Sequence, residues 1–577
     1  MVTTADTGAE PRAPRPWTST IAPRVFYPAA GIVLAFVLAT VLFPEAMGAG
    51  ISAVQTTIIG TFGWYYTLIV TGFVVFALWM GFGHFGDIKL APRDEEPEFR
   101  LGTWFAMLFA AGMGIGLVFW GVAEPLNHFA NPKPGVEGTP EVIAQQSLVQ
   151  TFLHWGLHPW AIYVVVGLAM AYAIHRKDRP VSIRWALEPL LGDRVKGWLG
   201  DAIDVAAIVG TLFGVATSLG LGVLQVASGL SFLGLLGEPG IWTWALLIGG
   251  ITLIATISVV TGLKAGIKWL SNVNITLAGA LLLFVILAGP TLFLLREFVQ
   301  SLGLYLQNLL ALSFDTSAMQ GDAGQAWQGS WATFYWGWWI SWAPFVGVFI
   351  ARISRGRTVR EFVLGVLAVP TLVSFVWFTA LGGTALQREL TGQSVIGPDG
   401  TVDTEGALFG LLASLPAGTF VVIGAIVLII LFFVTSSDSG SLVVDMLASG
   451  GDPDPPRWSR VFWAVLEGAV AAALLGAGVA TGAGAESALT ALQTAAIVIA
   501  FPFSIVMLGM CVALYRQFSL ERRAQLRIQR RLQREELTEH VARSLAEDGR
   551  TGGSRDGNGH AVGDGGVATR HEQEPAP

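Results

Sequence analysis

Five tryptophans fall within the twelve residues Trp331–Trp342, WATFYWGWWISW. The face of an aromatic ring carries negative quadrupole charge and attracts a cation without a carboxylate, a desolvated contact being worth about 2 kcal/mol or more. A quaternary ammonium suits such faces because it has no hydrogen bond to donate. Trp338, Trp339 and Trp342, deeper in the segment, are candidate contacts for such a group, with packing bulk as the competing reading. Trp331 and Tyr335, near its start, read as packing or as an interfacial belt. A second aromatic set lies in HWGLHPWAIY, where Trp160 and Tyr163 are three apart on one helical face. Pro159 removes an amide donor and clashes with the preceding turn, so the kink decides whether Trp155 joins them. His154 and His158 show no acidic neighbour in this stretch and read as satisfied helix-end histidines.

Two further stretches carry chemistry. In FAAGMGIGLVFWGVAEP, Gly112, Gly114 and Gly116 alternate at intervals of two, which no single helical face accommodates. This pattern fits a locally unwound helix whose carbonyls and amides face a ligand, with close helix packing as the alternative. In FFVTSSDSGS, residues 432–441, Thr435 and Ser436 are hard oxygen ligands for an alkali cation, or bond back to the carbonyl one turn earlier. Asp438 is an intramembrane acid and a functional candidate by default, with pairing to Arg457 as the structural alternative.

The elements that must position these residues are membrane helices. The chain has 577 residues, 53% hydrophobic and 13% charged, and a mean hydropathy of +0.60. That combination indicates a polytopic membrane protein. Twelve apolar segments are long enough to span: 25–45, 62–82, 101–123, 143–174, 200–230, 240–261, 270–295, 331–351, 361–385, 416–447, 459–481 and 488–515. The 34 basic residues lie at or beyond the segment ends and concentrate in alternate loops, the Arg352–Arg360 cluster among them. The intervening loops hold only Lys133, Arg296 and Arg388, so both termini are expected on the cytoplasmic side. Residues 1–23 do not read as a cleavable signal peptide. The single cysteine, Cys511, permits no intrachain disulfide, and the eight histidines form no HxxxH or HExxH pattern. No GxxxxGK[ST] is present, so nothing points to transport driven directly by ATP. No enzyme activity, cofactor or nucleic-acid partner is expected.

GMGIGLVFWGVAEP, WGWWISWAPFVGVFIARISRGR and TSSDSGS together resemble the betaine/carnitine/choline transporter family, over nearly all of residues 25–515. The resemblance implies an all-α integral membrane protein of twelve transmembrane helices. Two inverted five-helix repeats, LeuT-like, would follow two extra helices. It implies a trimethylammonium cage of Trp155, Trp160, Tyr163 and Trp339, with Trp338 and Trp342 along the path. The substrate carboxylate would meet backbone amides near Gly112–Gly116. In sodium-coupled members one sodium site matches Ala110, Met113, Phe432, Thr435 and Ser436. A second would involve Thr211 and Phe345, but Val215 replaces its expected hydroxyl, with Thr217 as a possible substitute. Sodium as the coupling ion and glycine betaine as the substrate are the expectation. The alternatives are a proton- or sodium-coupled choline or carnitine transporter, or an osmosensor that keeps the fold. A homotrimer in the cytoplasmic membrane of a bacterium is implied as well.

The sequence divides into a cytoplasmic tail, 1–23; the transporter domain, 24–515; a charged cytoplasmic helix, 516–548; and a tail expected to be disordered, 549–577. VQSLGLYLQNLLALS, within 298–330, has the apolar spacing of a surface helix along the membrane. Arg522, Arg523, Arg527, Arg530, Arg531 and Arg534 are candidate contacts for anionic lipid head groups, and i,i+4 charge pairing is the alternative. Osmotic regulation through this helix is a further expectation.

Overall fold

The computed structural model describes residues 21–112, 114–261, 264–481 and 485–552; the side chains of 109–113, 259–269, 481–485 and 547–552 lie outside the description. The tail 1–23 is therefore described only from residue 21, and the tail 549–577 only to residue 552, without side chains.

Every regular element among the described residues is helical, apart from one isolated antiparallel bridge, Lys89 to Thr358. The chain opens with α1 (Pro23–Leu42), α2 (Pro44–Phe82), α3 (Leu101–Gly112) and α4 (Ile115–Ala130). There follow α5 (Pro140–Trp155), α6 (Leu157–Ala171), the single turn α7 (Glu188–Leu191) and α8 (Trp198–Phe232). Next come α9 (Ile241–Thr261), α10 (Lys264–Ala288), α11 (Thr291–Ser313), α12 (Gly321–Gln328) and α13 (Phe334–Ile353). The chain continues through α14 (Val359–Leu390), α15 (Ala407–Ala413), α16 (Gly418–Ala448), α17 (Arg457–Thr481) and α18 (Ala485–Gly552).

Ten helical stretches among the described residues are long and apolar enough to cross a membrane, α5 and α6 forming one of them. Two of the twelve apolar segments fall outside that count. Segment 101–123 is divided at Gly114, whose backbone is extended, into two helices too short to span singly, and 331–351 runs from a π-helical turn into α13 with five tryptophans, Tyr335 and Pro344 lowering its hydropathy. Helix α2 starts at Pro44, well before the expected 62, because proline suits a first helical turn and no second proline follows in residues 44–61.

The interruptions have local causes. Pro159 lacks the N–H that would bond the carbonyl of Trp155, and the chain leaves helical geometry at Gly156, between α5 and α6. Gly156 also sits where a Cβ would lie 2.9 Å from the Phe375 ring and 2.4 Å from the Phe152 carbonyl. Phe152 stacks on Phe375 at 4.0 Å, which locks α5 to α14. Helix α11 covers the outer side of this contact; its Tyr305 is buried and accepts the Leu157 amide at 3.4 Å. Helix α13 packs on α6 and α8, α4 on α14, α5 and α8, and α16 on α8, α17 and α10.

Residues 83–100 and 354–360 are fastened backbone to backbone. The Leu90 amide donates to Arg357, Val359 to Ile88 and Arg360 to Gly86, at 2.8–2.9 Å. The arginine cluster reinforces the clasp: Arg357 Nη2 donates to the Phe99 carbonyl at 2.6 Å, and its guanidinium lies 4.8 Å over Trp104. Thr358 and Glu361 form a capping box that starts α14 at the same place.

Residues 519–577 form a separate unit, described as far as Gly552. Its helix continues α18 without a break at the expected 515–516 boundary. Arg531 pairs with Glu535 at 2.8 Å and Arg543 with Glu539 at 3.1 Å, the spacing of charge pairs on a solvated helix. Leu526, Leu532, Leu537 and Leu545 are all exposed.

Candidate functional site

Trp155, Trp160, Tyr163, Trp338, Trp339 and Trp342 line one cavity, with Gly114, Gly116 and Ser218. Among the described residues, no charged side chain lines it. Trp338 and Trp339 lie nearly parallel, 4.6 Å apart, and Trp155 meets Trp339 edge-on at 4.9 Å. Trp160 and Tyr163 meet at 75° on α6. The break at Gly156 lets α5 and α6 both contribute rings to the same space. The indole N–H groups are largely spent on protein. Trp155 donates to Glu124 Oε2 at 2.7 Å, Trp339 to the His154 carbonyl at 3.0 Å and Trp338 to Ser218 Oγ at 3.2 Å. The cavity therefore offers ring faces and few donors.

The expectation that His154 and His158 lack an acidic partner is corrected for His154. Glu124, on α4, is fully buried and its Oε1 lies 2.7 Å from His154 Nδ1 and 3.3 Å from His128 Nε2. Its Oε2 accepts from Trp155 and from the Tyr335 hydroxyl. Glu124, His128 and His154 offer three metal-ligand atoms within 4.8 Å of one another. Both carboxylate oxygens, however, already have two partners each, so the cluster reads as a closed brace behind Trp155. His154 is satisfied as expected, by Glu124 and by Gln150 at 3.1 Å, whereas neither ring nitrogen of His158 has a protein partner and its ring stacks on Trp336 at 5.2 Å, so the satisfied-histidine reading fails for His158. The sequence did carry a sign of the brace, an acid inside an apolar segment at GVAEP.

The two glycines of the α3–α4 break differ. A Cβ on Gly116 would lie 2.5 Å from Trp338 Cη2 and 3.1 Å from Trp155 Cη2, whereas one on Gly114 would meet nothing nearer than 3.9 Å. Trp338 is 1% exposed and cannot swing aside freely. Gly116→Ala is thus expected to weaken substrate binding about tenfold, in line with overpacking costs of 1–3 kcal/mol, while Gly114→Ala changes it little. Titration of tryptophan fluorescence with ligand reads both; equal effects would contradict the geometry. Gly112 ends the described part of α3, Ala110 lies in α3 without a described side chain, and Met113 lies outside the described residues.

A second cavity is lined by Ser271, Asn274, Phe345, Phe432, Thr435 and Ser436. Trp342 lines both cavities and forms the wall between them. Thr435 Oγ1 lies 2.9 Å from the Leu431 carbonyl and accepts from Asn274 Nδ2 at 3.1 Å. The back-bond to the preceding turn is therefore present, and Asn274 joins the hydroxyls. Asn274 Oδ1 is buried without a partner, a hard oxygen that the sequence reading did not include. Thr211 is fully buried with its hydroxyl unpartnered, and Val215 is fully buried one turn on. Thr217 donates to the Phe213 carbonyl at 2.9 Å, the same back-bond that Thr435 makes, and also lies 3.4 Å from the Leu492 carbonyl. Asp438 pairs with Arg460 at 2.8 Å; the cationic partner is thus one turn beyond the expected Arg457.

Residues 24–523 match the family of betaine/carnitine/choline family transporters. An uncharacterized transporter of Mycobacterium tuberculosis is 52% identical over 504 residues, 87% of this chain and 83% of that protein. The glycine betaine transporter OpuD of Bacillus subtilis is 44% identical over 500 residues, 86% of this chain and 95% of that protein. The high-affinity choline transport protein of Escherichia coli is 39% identical over 504 residues, 87% of this chain and 72% of that protein.

Proposed function

Since the chain belongs to the betaine/carnitine/choline transporter family, we propose that it imports glycine betaine by sodium symport across a bacterial cytoplasmic membrane. The observation that carries this reading is the pair of adjoining cavities, one aromatic and free of charged side chains, one lined by hydroxyls and an amide, with Trp342 between them. The trimethylammonium group lies among Trp155, Trp160, Tyr163 and Trp339, where desolvation is offset by several ring faces rather than by one counter-ion. The start of α4 supplies the other pole. Gly114 makes no side-chain cap, so the first amides of α4 lack intrahelical acceptors and suit a carboxylate. A zwitterion uses both poles and choline only one, which favours glycine betaine over choline.

Thr435, Ser436 and the Phe432 carbonyl supply sodium ligands, with Asn274 Oδ1 as a further oxygen. A sodium ion there shares a wall with the substrate cavity, so filling one biases the geometry of the other. Twelve spans in two inverted repeats, cytoplasmic termini, a homotrimer, lipid contacts of the basic C-terminal helix and its osmotic control complete the reading.

The test is uptake of labelled betaine by reconstituted vesicles under an inward sodium gradient, with choline and carnitine in parallel. Uptake no greater than leak defeats the transport reading. The double variant Thr435→Ala/Ser436→Ala is expected to raise the sodium concentration for half-maximal uptake by about tenfold or more, as loss of two oxygen contacts at about 1 kcal/mol each implies. Unchanged sodium dependence would move the coupling site elsewhere.

A further inference from the structure

Glu467 lies about ten residues into α17 from Arg457, about 15 Å along the helix, and is fully buried. Its Oε2 lies 3.2 Å from Ser437 Oγ on α16, and its Oε1 has no protein partner. The free oxygen points into a tight space between α8, α16 and α17. A Cβ placed on Gly440 would lie 3.0 Å from Val215 Cγ2 and 3.3 Å from Glu467 Oε1. An acid this deep in an apolar bundle is expensive unless neutralised, and such groups mark ion or proton pathways.

The neighbouring charges do not neutralise it. On α16, Asp438 is bonded to Arg460 at 2.8 Å and Asp445 is buried two turns beyond Ser437; α8, also packed on α17, carries Asp201 and Asp204 near its start, Asp204 bonded to Arg184 at 2.5 Å. Helix α9, packed on α17, carries no charged residue; α1 and α2 carry only Arg24 and Glu45, both at their starts. On the α8 side the neighbour is Val215, an apolar side chain. A metal cation would find the Glu467 carboxylate and Ser437 Oγ beside valine methyls, a poor replacement for its hydration shell. A proton needs one oxygen.

We propose that Glu467 and Ser437 form a proton-binding site, separate from both cavities, whose occupancy makes transport depend on pH. The proton resides on Glu467 in the enclosed state described here, where an ionised carboxylate would lie among valine and glycine. Ser437 follows Thr435 and Ser436 on α16, so movement of that helix at the sodium cavity also moves the partner of Glu467. As pH rises the proton is lost, the enclosed state is disfavoured and uptake slows.

The proposal rests on the transport reading for its functional consequence, and the experiment separates the two. Betaine uptake at a fixed inward sodium gradient is measured across about two pH units on the full chain in vesicles. Thermal unfolding in detergent is followed over the same range, so that a protein which moves no betaine still reports its proton site. A single titrating group changes its charged-to-neutral ratio about tenfold per pH unit, so wild-type uptake is expected to fall by about fivefold or more toward high pH. Glu467→Gln, which imitates the protonated acid, is expected to keep sodium-driven uptake and lose the decline, and to show a smaller change of unfolding temperature over the same range than wild type, the remaining titratable groups contributing alike to both. Identical pH profiles for Glu467→Gln and wild type, in uptake or in unfolding, overturn the proposal. Should Glu467→Gln not fold, Ser437→Ala decides: a shifted midpoint of the wild-type profile supports the site, and an unmoved one overturns it.

Discussion

Glu124→Ala is expected to weaken betaine binding by about a hundredfold or more and to lower the unfolding temperature. The substitution strands Trp155 Nε1 and the Tyr335 hydroxyl, and removes the partner of His154 Nδ1, all in a fully enclosed region. Each buried polar group left unpaired costs the fold about 1–3 kcal/mol, and binding carries the part of that cost needed to return Trp155 and Tyr335 to the bound arrangement, at about 1.4 kcal/mol per tenfold in affinity. Two or three such losses exceed the effect of any single ring contact. Glu124→Gln retains one oxygen acceptor and is expected to fall between Ala and wild type. Ligand titration and thermal unfolding in detergent measure both consequences. Wild-type affinity in Glu124→Ala would show that Trp155 holds its orientation without the carboxylate, and the brace would then have no part in the site.

The second large effect separates a cage from packing. Trp339→Phe preserves an aromatic face, whereas Trp339→Leu preserves apolar bulk without the quadrupole. If cation–π attraction holds the ligand, Leu is expected to cost about 1–2 kcal/mol more than Phe, roughly five- to thirtyfold in affinity. Both variants lose the bond from Trp339 Nε1 to the His154 carbonyl, so that loss cancels in the comparison. Binding is measured at fixed sodium, so that sodium occupancy does not masquerade as a cage effect. Equal affinities in the two folded variants would remove Trp339 from the ammonium site.

Trp160, Trp338, Trp339 and Trp342 were legible because they are bulky and clustered and α6 and α13 are continuous where they carry them, whereas Trp155 ends α5 on the far side of the Gly156 break. The brace was not. Glu124 and His154 are separated by 30 residues and lie on different helices, and nothing in local spacing announces that α4 and α5 meet there. Pro159 was a readable cause of a kink, but its effect falls at Gly156, on the preceding turn where the carbonyl goes unbonded. The hydroxyl run at Thr435 was likewise legible, while Asn274 reaches it from 161 residues away. The even spacing of apolar segments predicted helices well, because length and hydropathy suffice for that. The interruption at Gly114 was visible only as a glycine pattern, and the spanning helices among the described residues, ten, are fewer than the twelve apolar segments.

The clasp between residues 86–90 and 357–360 sets a fulcrum. Two elements fastened by backbone bonds at one end can diverge only by pivoting there, so displacement grows with distance along the arm. Trp339 stands about 20 Å along α13 from Ile353, at 1.5 Å per residue, and a tilt of roughly 10° would carry its ring about 3–4 Å. That is comparable with its 4.9 Å spacing from Trp155. A modest rotation about the fastened end would therefore be amplified at the rings, on the scale of the spacing within the aromatic enclosure.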